Sequence, residues 1–251
     1  MAEPSFFMSS HGRRLAYHKR NGSTPGVMFL GGFKSDMEGT KALSLEHWAE
    51  KTGRAFLRFD YSGHGESDGL FNEGSIGDWA ADAHAVLEAQ TTGPQILVGS
   101  SMGGWISLLL ARSVPERVAG LVTIAAAPDF TEDSMWAGFD EVQRHELSEK
   151  GQLVLPSDYG EPYIITRRLI EEGRSHLVLR TPLRLPFPVR FLQGTADNDV
   201  DVSVSMRLMA HVEGEDIRLT LVKGADHRFS EPECLTLIEK SVEELITFGI
   251  E

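Results

Sequence analysis

Short apolar runs and longer stretches of helical periodicity follow one another along this chain. Strands are expected over 5–9 and 13–19, joined at His11-Gly12 as a hairpin, then over 27–30, 55–59, 95–98, 119–124, 189–192 and 217–222. Helices are expected over 41–51, where Leu43, Leu45, Trp48 and Ala49 supply apolar surface, over 76–90, after Gly103, and over 202–212 and 232–248. A run such as Val27-Met28-Phe29-Leu30 has no polar alternation, as in a strand covered on both faces. Strand, helix, strand in this rhythm predicts an α/β fold: a mostly parallel eight-stranded sheet flanked by helices.

One stretch departs from the rhythm. Between the sixth and seventh strands, 129–188 inserts about sixty residues, more than compact domains use as a plain connection. It is expected to form a helical lid within a single domain covering 1–251. Thr131 is placed to cap a helix that carries Met135, Phe139 and Val142 on one face and stops at Gly151, while 163–172 reads as a second helix ended by Gly173. Pro182, Pro186 and Pro188 then return the chain in extended form. The apolar lid side chains are expected to pack the lid onto the body; the alternative is that some of them also line an acyl pocket.

Charge narrows the partners. With 24 Lys and Arg against 37 Asp and Glu, the net charge of −13 repels phosphate backbones, and no nucleic-acid partner is expected. The single cysteine, Cys234, has no disulfide partner and no recognisable base beside it. Met1-Ala2-Glu3-Pro4 carries acid where a secretory signal carries base, and no apolar run is long enough for secretion or for a membrane span, so a cytoplasmic protein is expected. Nothing in the sequence fixes the oligomeric state.

The chemistry concentrates at Gly99-Ser100-Ser101-Met102-Gly103, a G-x-S-x-G with an apolar strand entering and a helix leaving. Side chains at Gly99 or Gly103 would collide with such a tight turn. The same pentapeptide pattern recurs at Gly65-Glu66-Ser67-Asp68-Gly69 without strand or helix around it, so Ser101 is the expected nucleophile and Ser67 a loop serine. A serine hydroxyl needs a base, and in strand–turn–helix elbows of this kind the base comes last in chain order, after the acid. His227 follows the last strand, at the sheet edge that Ser101 shares; His64, in the loop after the fourth strand, is the alternative. For the acid, Asp197 follows the seventh strand and Asp129 the sixth; Asp199 and Asp201 suit caps of the helix at 202, and Asp226 is too near His227 in sequence to bond its ring. The amides of Met102 and of Phe33, after Gly31-Gly32, are placed to form an oxyanion hole. No zinc-type ligand spacing and no phosphate-cradle lysine is seen, so neither metal nor cofactor is expected.

Taken together, Asp60-Tyr61-Ser62-Gly63-His64-Gly65, the elbow, the Asp197 loop and His227 resemble the α/β-hydrolase superfamily across nearly the whole chain. Gly39-Thr40-Lys41-Ala42, Arg58-Phe59-Asp60-Tyr61-Ser62-Gly63, the segment 93–101 and Asp226-His227-Arg228 are similar, more narrowly, to the mitochondrial abhydrolase domain-containing protein 10 group. That resemblance implies a serine esterase or thioesterase acting on S-palmitoylated proteins or acyl glucuronides, with Ser101, Asp197 and His227 at the triad positions. Small ester or acylated-protein substrates are therefore expected. Gly31 and Gln193 stand where the superfamily often has His, and neither is expected to touch the triad. Lipid-ester or C–C bond hydrolysis on the same fold is the alternative reaction, and a binding protein without turnover the alternative class.

Overall fold

Pairing of the apolar runs produces one eight-stranded sheet: β1 (Ser5–Met8), β2 (Arg14–Arg20), β3 (Ser23–Leu30), β4 (Arg54–Phe59), β5 (Gln95–Ser100), β6 (Val118–Ile124), β7 (Val189–Gly194) and β8 (Ile217–Val222), in the order β1-β2-β4-β3-β5-β6-β7-β8. The computed structural model describes residues 3–156 and 162–248. Only β2 runs against its neighbours; the six strands from β4 to β8 pair in parallel. The expected hairpin is present, with Gly12 at φ 76° and the Ser9 amide donating to the Arg13 carbonyl at 2.8 Å.

Alternation along the strands divides the interior in two. Met28, Leu30 and Leu97 face the layer of α2 (Ile76–Gln90) and α3 (Met102–Ser113), built on the fully buried Trp79 and Trp105. Val27, Phe29, Ile96 and Val98 face α1 (Thr40–Thr52) and α7 (Pro232–Phe248), where Leu45, Ile238 and Val242 pack. Period-two side chains buried on both sides are what forces helices onto both faces.

Between β6 and β7 the chain departs from expectation in two places. A π-helical turn over Thr131–Trp136 is not continuous with α4 (Glu141–Lys150), and Asp140, not Thr131, caps α4 through a capping box with Gln143. The helical stretch ends at Gly138, the break before α4 falls at Phe139-Asp140, and Val142 is 74% exposed rather than on a buried face. Nor is 163–172 one helix. Tyr163–Thr166 pairs antiparallel with Gln152–Leu155, and α5 (Arg167–Gly173) begins only after Thr166, whose hydroxyl accepts from the Leu169 amide. Tyr-Ile-Ile-Thr is β-branched and aromatic, and a strand partner overrides its helical spacing. Phe139, Leu147, Leu153, Ile165 and Leu169 pack into the α2–α3 core, so most of the apolar surface of this insertion holds it to the body. The last helix before β8, α6 (Val202–His211), is capped by Asp201.

Candidate active site

The turn from β5 into α3 holds Ser101 at φ 54°, ψ −117°, a conformation that side chains rarely adopt and that surroundings must enforce. Here the Ser101 amide donates to the Ile124 carbonyl at 2.9 Å, and its carbonyl accepts from Gly104 N at 2.9 Å and Ala127 N at 3.1 Å. A Cβ on Gly99 would overlap the Gly103 carbonyl and Ser107 Oγ, and one on Gly103 would overlap the Leu30 carbonyl. Both glycines are thus required by close backbone approach.

Loops leaving β7 and β8 meet over this turn. The Gly224 amide donates to Thr195 Oγ1 at 2.9 Å and the Ala196 amide to the Ala225 carbonyl at 3.0 Å. His227 is thereby carried to Ser101, with Nε2 3.2 Å from Ser101 Oγ and Nδ1 2.9 Å from Asp197 Oδ2. The Asp197 side chain is fully buried. Burial alone would raise its pKa, but the hydrogen bonds from His227 and from the Val200 and Asp199 amides outweigh it and hold the carboxyl below its ordinary value. An ionised carboxylate at Nδ1 places the ring proton there and leaves the Nε2 lone pair for the serine hydroxyl.

Alongside runs the loop after β3. A Cβ on Gly32 would lie 3.5 Å from Ser101 Cβ, and Met102, the first residue of α3, has an amide with no acceptor inside the helix. The Phe33 ring meets Phe71, Trp79, Phe130 and Tyr163 edge-on, at centroid distances of 4.8 to 5.9 Å. Phe33, Phe130, Met135, Trp136 and Tyr163 are half-buried, unlike the core residues behind them.

The alternative residues are otherwise engaged. Ser67 Oγ donates to the Asp60 carbonyl at 2.7 Å and accepts from Ala16 N at 2.8 Å, pinning its loop to β2. Asp129, 0% exposed, accepts from Val178 N at 2.7 Å and Leu179 N at 3.0 Å and pairs with Arg180, which ties down the returning end of the insertion. Burial raises its pKa. His64 is buried with both ring nitrogens occupied, Asp226 accepts from Phe229 N, and Cys234 is buried in α7. Asp201 caps α6 as expected, but the Asp199 carboxylate groups with Asp197 and His227, ligand atoms all within 4.8 Å. That trio is the arrangement among the described residues with spacing that would suit a metal, and its two less exposed members are already bonded to each other.

Two contributors escape a reading of the sequence. Gln193 does touch the triad: its Nε2 donates to Asp197 Oδ2 at 2.9 Å and its Oε1 accepts from Ser205 Oγ at 2.7 Å. A fully buried amide at the end of a core strand must find partners, and that is the signal which could have revealed it. Lys41, at the start of α1, donates from Nζ to the Arg228 carbonyl at 2.5 Å and so steadies the His227 loop. Burial, against the charge of Asp226, draws its pKa down to about 8.

Comparison with known proteins places this arrangement. The family model for the alpha/beta hydrolase fold matches residues 29–181. The chain belongs to the α/β-hydrolase fold family. It is 38% identical over 247 residues to palmitoyl-protein thioesterase ABHD10, mitochondrial, of Mus musculus, covering 98% of this chain and 83% of that one. Among solved structures, a hydrolase from Agrobacterium vitis S4 superposes with TM-score 0.93 at 39% identity, covering 97% of this chain and 98% of that chain. The alpha/beta hydrolase domain-containing protein 10 from mouse superposes with TM-score 0.91 at 36% identity, covering 98% and 99%. These likenesses make the protein an esterase- or thioesterase-type hydrolase. They also correct the expected location: the relative is named as mitochondrial, which points away from the cytoplasm. No helix among the described residues is long and apolar enough to cross a membrane.

Proposed function

We propose that this hydrolase cleaves thioesters and esters of medium- to long-chain acyl groups through a Ser101 acyl-enzyme, with S-acylated protein as the substrate class. The observation that carries the reading is the continuous chain Ser101 Oγ, His227 Nε2, His227 Nδ1 and Asp197 Oδ2, with steps of 3.2 and 2.9 Å, at a strained turn. Ser101 Oγ attacks the acyl carbonyl as His227 Nε2 takes its proton; the Phe33 and Met102 amides stabilise the oxyanion. The proton then passes from His227 to the departing thiolate or alkoxide. Water then attacks the acyl-enzyme as His227 Nε2 takes its proton, and that proton passes to Ser101 Oγ as the acyl–oxygen bond to the enzyme breaks and the carboxylic acid leaves. Asp197 keeps the imidazole in the needed tautomer throughout, and no cofactor takes part.

The whole of 1–251 serves as one catalytic domain, with 129–188 as its lid. Support for a long acyl chain comes from Phe33, half-buried on the loop beside Ser101, and from the half-buried Phe130 and Tyr163 that meet its ring edge-on. Thioesterase activity toward palmitoylated protein is what the name of the mouse relative records, and that relative matches nearly all of this chain. The exposed Lys34, whose Nζ lies 5.3 Å from the Tyr163 ring centroid, favours as a second reading an anionic leaving group such as a glucuronate.

The test is kcat/KM across acetyl, butyryl, octanoyl and palmitoyl thioesters and esters, with an acyl glucuronide alongside and detergent held constant. Each buried methylene contributes about 0.8 kcal/mol, so four added carbons are expected to raise specificity by up to roughly two-hundredfold where the gain is realised in the transition state. A steady fall beyond butyryl would overturn the long-acyl reading, and preference for the glucuronide would select the second one.

A further inference from the structure

The Asp60-Tyr61-Ser62-Gly63-His64 segment takes no part in the chemistry above, yet it holds the neighbouring oxyanion loop at three points. Tyr61 OH donates to the Gly31 carbonyl at 3.4 Å, the Lys34 amide donates to His64 Nε2 at 3.2 Å, and the Met37 amide donates to Asp60 Oδ1 at 2.7 Å. The middle attachment sits directly after Phe33, whose amide the mechanism needs. Lys34 has φ 58°, a left-handed conformation unfavourable for lysine, so the peptide that precedes it must be restrained by its partners.

His64 is built for this restraint. Its Nδ1 lies 3.2 Å from the Ser62 carbonyl, which can only accept, so Nδ1 carries the proton and Nε2 offers a lone pair to the Lys34 N–H. Tyr61, Phe71 and Trp79 surround the ring edge-on at centroid distances of 5.1 to 5.5 Å and leave it 3% exposed. Phe71 and Trp79 also pack against the Phe33 ring, so the same aromatic box fixes both sides of the Phe33–Lys34 peptide.

We infer that His64 is a positioning residue for acyl transfer: by accepting the Lys34 N–H it anchors the peptide that follows Phe33 and so fixes the backbone of Phe33, whose own N–H, on the Gly32–Phe33 peptide, faces the developing oxyanion. This rests on the proposed Ser101 mechanism. Loss of an entire oxyanion donor costs about 10²–10³ in kcat, and a donor left in place but misaimed costs part of that.

The experiment compares His64→Phe, which fills the aromatic box without an acceptor, with His64→Gln, whose side-chain oxygen restores one. His64→Phe is expected to lower kcat by roughly 10- to 100-fold with KM within about twofold, while Tm measurement shows a folded protein. His64→Gln is expected to recover most of that loss. Wild-type kcat in His64→Phe would overturn the inference, as would an equal loss in both folded variants. If His64→Phe fails to fold, His64→Leu takes its place as the variant without an acceptor: a loss of kcat that His64→Gln recovers supports the inference, and wild-type kcat in a folded His64→Leu refutes it. Ser101→Ala, run in parallel, separates the two levels. Retained turnover there would sink the underlying mechanism and this inference together, whereas an inactive Ser101→Ala beside a fully active His64→Phe would sink the inference alone.

Discussion

Burial of a neutral histidine makes stability depend on pH, and His64 is buried in this way. Burial lowers its pKa from 6.5 to about 4, with its hydrogen bond to the Ser62 carbonyl acting weakly the other way. The unfolded chain therefore binds a proton at this residue before the folded one does. Stability is fully present above 6.5 and is lost as pH falls toward 4. For these two values the loss is about 2 kcal/mol between about pH 7.5 and about pH 5, and about 3 kcal/mol by about pH 4. Other groups titrate with it. His18, also lowered by burial and by Arg58, adds in the same direction, whereas Asp60 and Asp129, raised by burial, oppose it because they favour the folded state at low pH. Tyr61, the titratable ring beside His64, stays protonated since burial pushes its pKa up. The readout is thus a difference: urea unfolding of the wild type and of His64→Gln at several pH values, which cancels every group except this one. The gap between the two curves is expected to close, or reverse, by about 2 kcal/mol on going down to about pH 5. A gap that stays flat would refute the claim that His64 is buried neutral.

Ser101→Ala is expected to abolish hydrolysis and labelling by a fluorophosphonate probe, with turnover down about a millionfold. Ser67→Ala should keep the labelling but lose about 1–3 kcal/mol of stability by denaturant titration, because a buried Ala16 amide and Asp60 carbonyl lose their partner. Asp197→Asn is expected to fold and to lose roughly ten-thousandfold in kcat by presenting the wrong tautomer of His227. Asp129→Asn should instead leave kcat near wild type and lower stability by about 1–3 kcal/mol, since it binds two backbone amides and Arg180; the reverse pattern would move the acid to the end of β6.

The sheet and the Ser101–His227–Asp197 constellation could be read from the chain because each is encoded locally. Val27 to Leu30 must be buried on both faces, and Gly99, Ser101 and Gly103 stand between an apolar strand and an apolar helix. Loop placement at the C-terminal edge of parallel strands then does the rest. What could not be read depends on pairing at a distance. Tyr163 to Thr166 has a spacing that fits a helix, and only its partner Gln152 to Leu155 makes it a strand. Thr131 carries a capping side chain but is buried behind Gly173, while Asp140 sits at the free helix start with Gln143 three residues on. Three residues lie between Gln193 and the acid, and it is the turn after β7 that folds Asp197 back onto it.

The second G-x-S-x-G motif shows why residue type and spacing mislead when separated from partners. Ser67 has the pattern of a nucleophile, but its hydroxyl is spent between β2 and the Asp60 carbonyl, and the pentapeptide's glycines serve a compact turn: Gly65 lies at φ 44° against the Asp60 carboxylate. That turn leaves Asp60 free to bind Met37 N and His64 free to bind Lys34 N. The loop after β4 therefore supports the loop after β3, as Gln193 supports Asp197 and Lys41 supports the His227 loop. At these positions a polar side chain drawn away from water is satisfied by backbone or side-chain atoms of its own or a neighbouring loop. A polar group removed from water must be satisfied, so the same rule that makes these residues costly to mutate fixes where the reacting atoms stand.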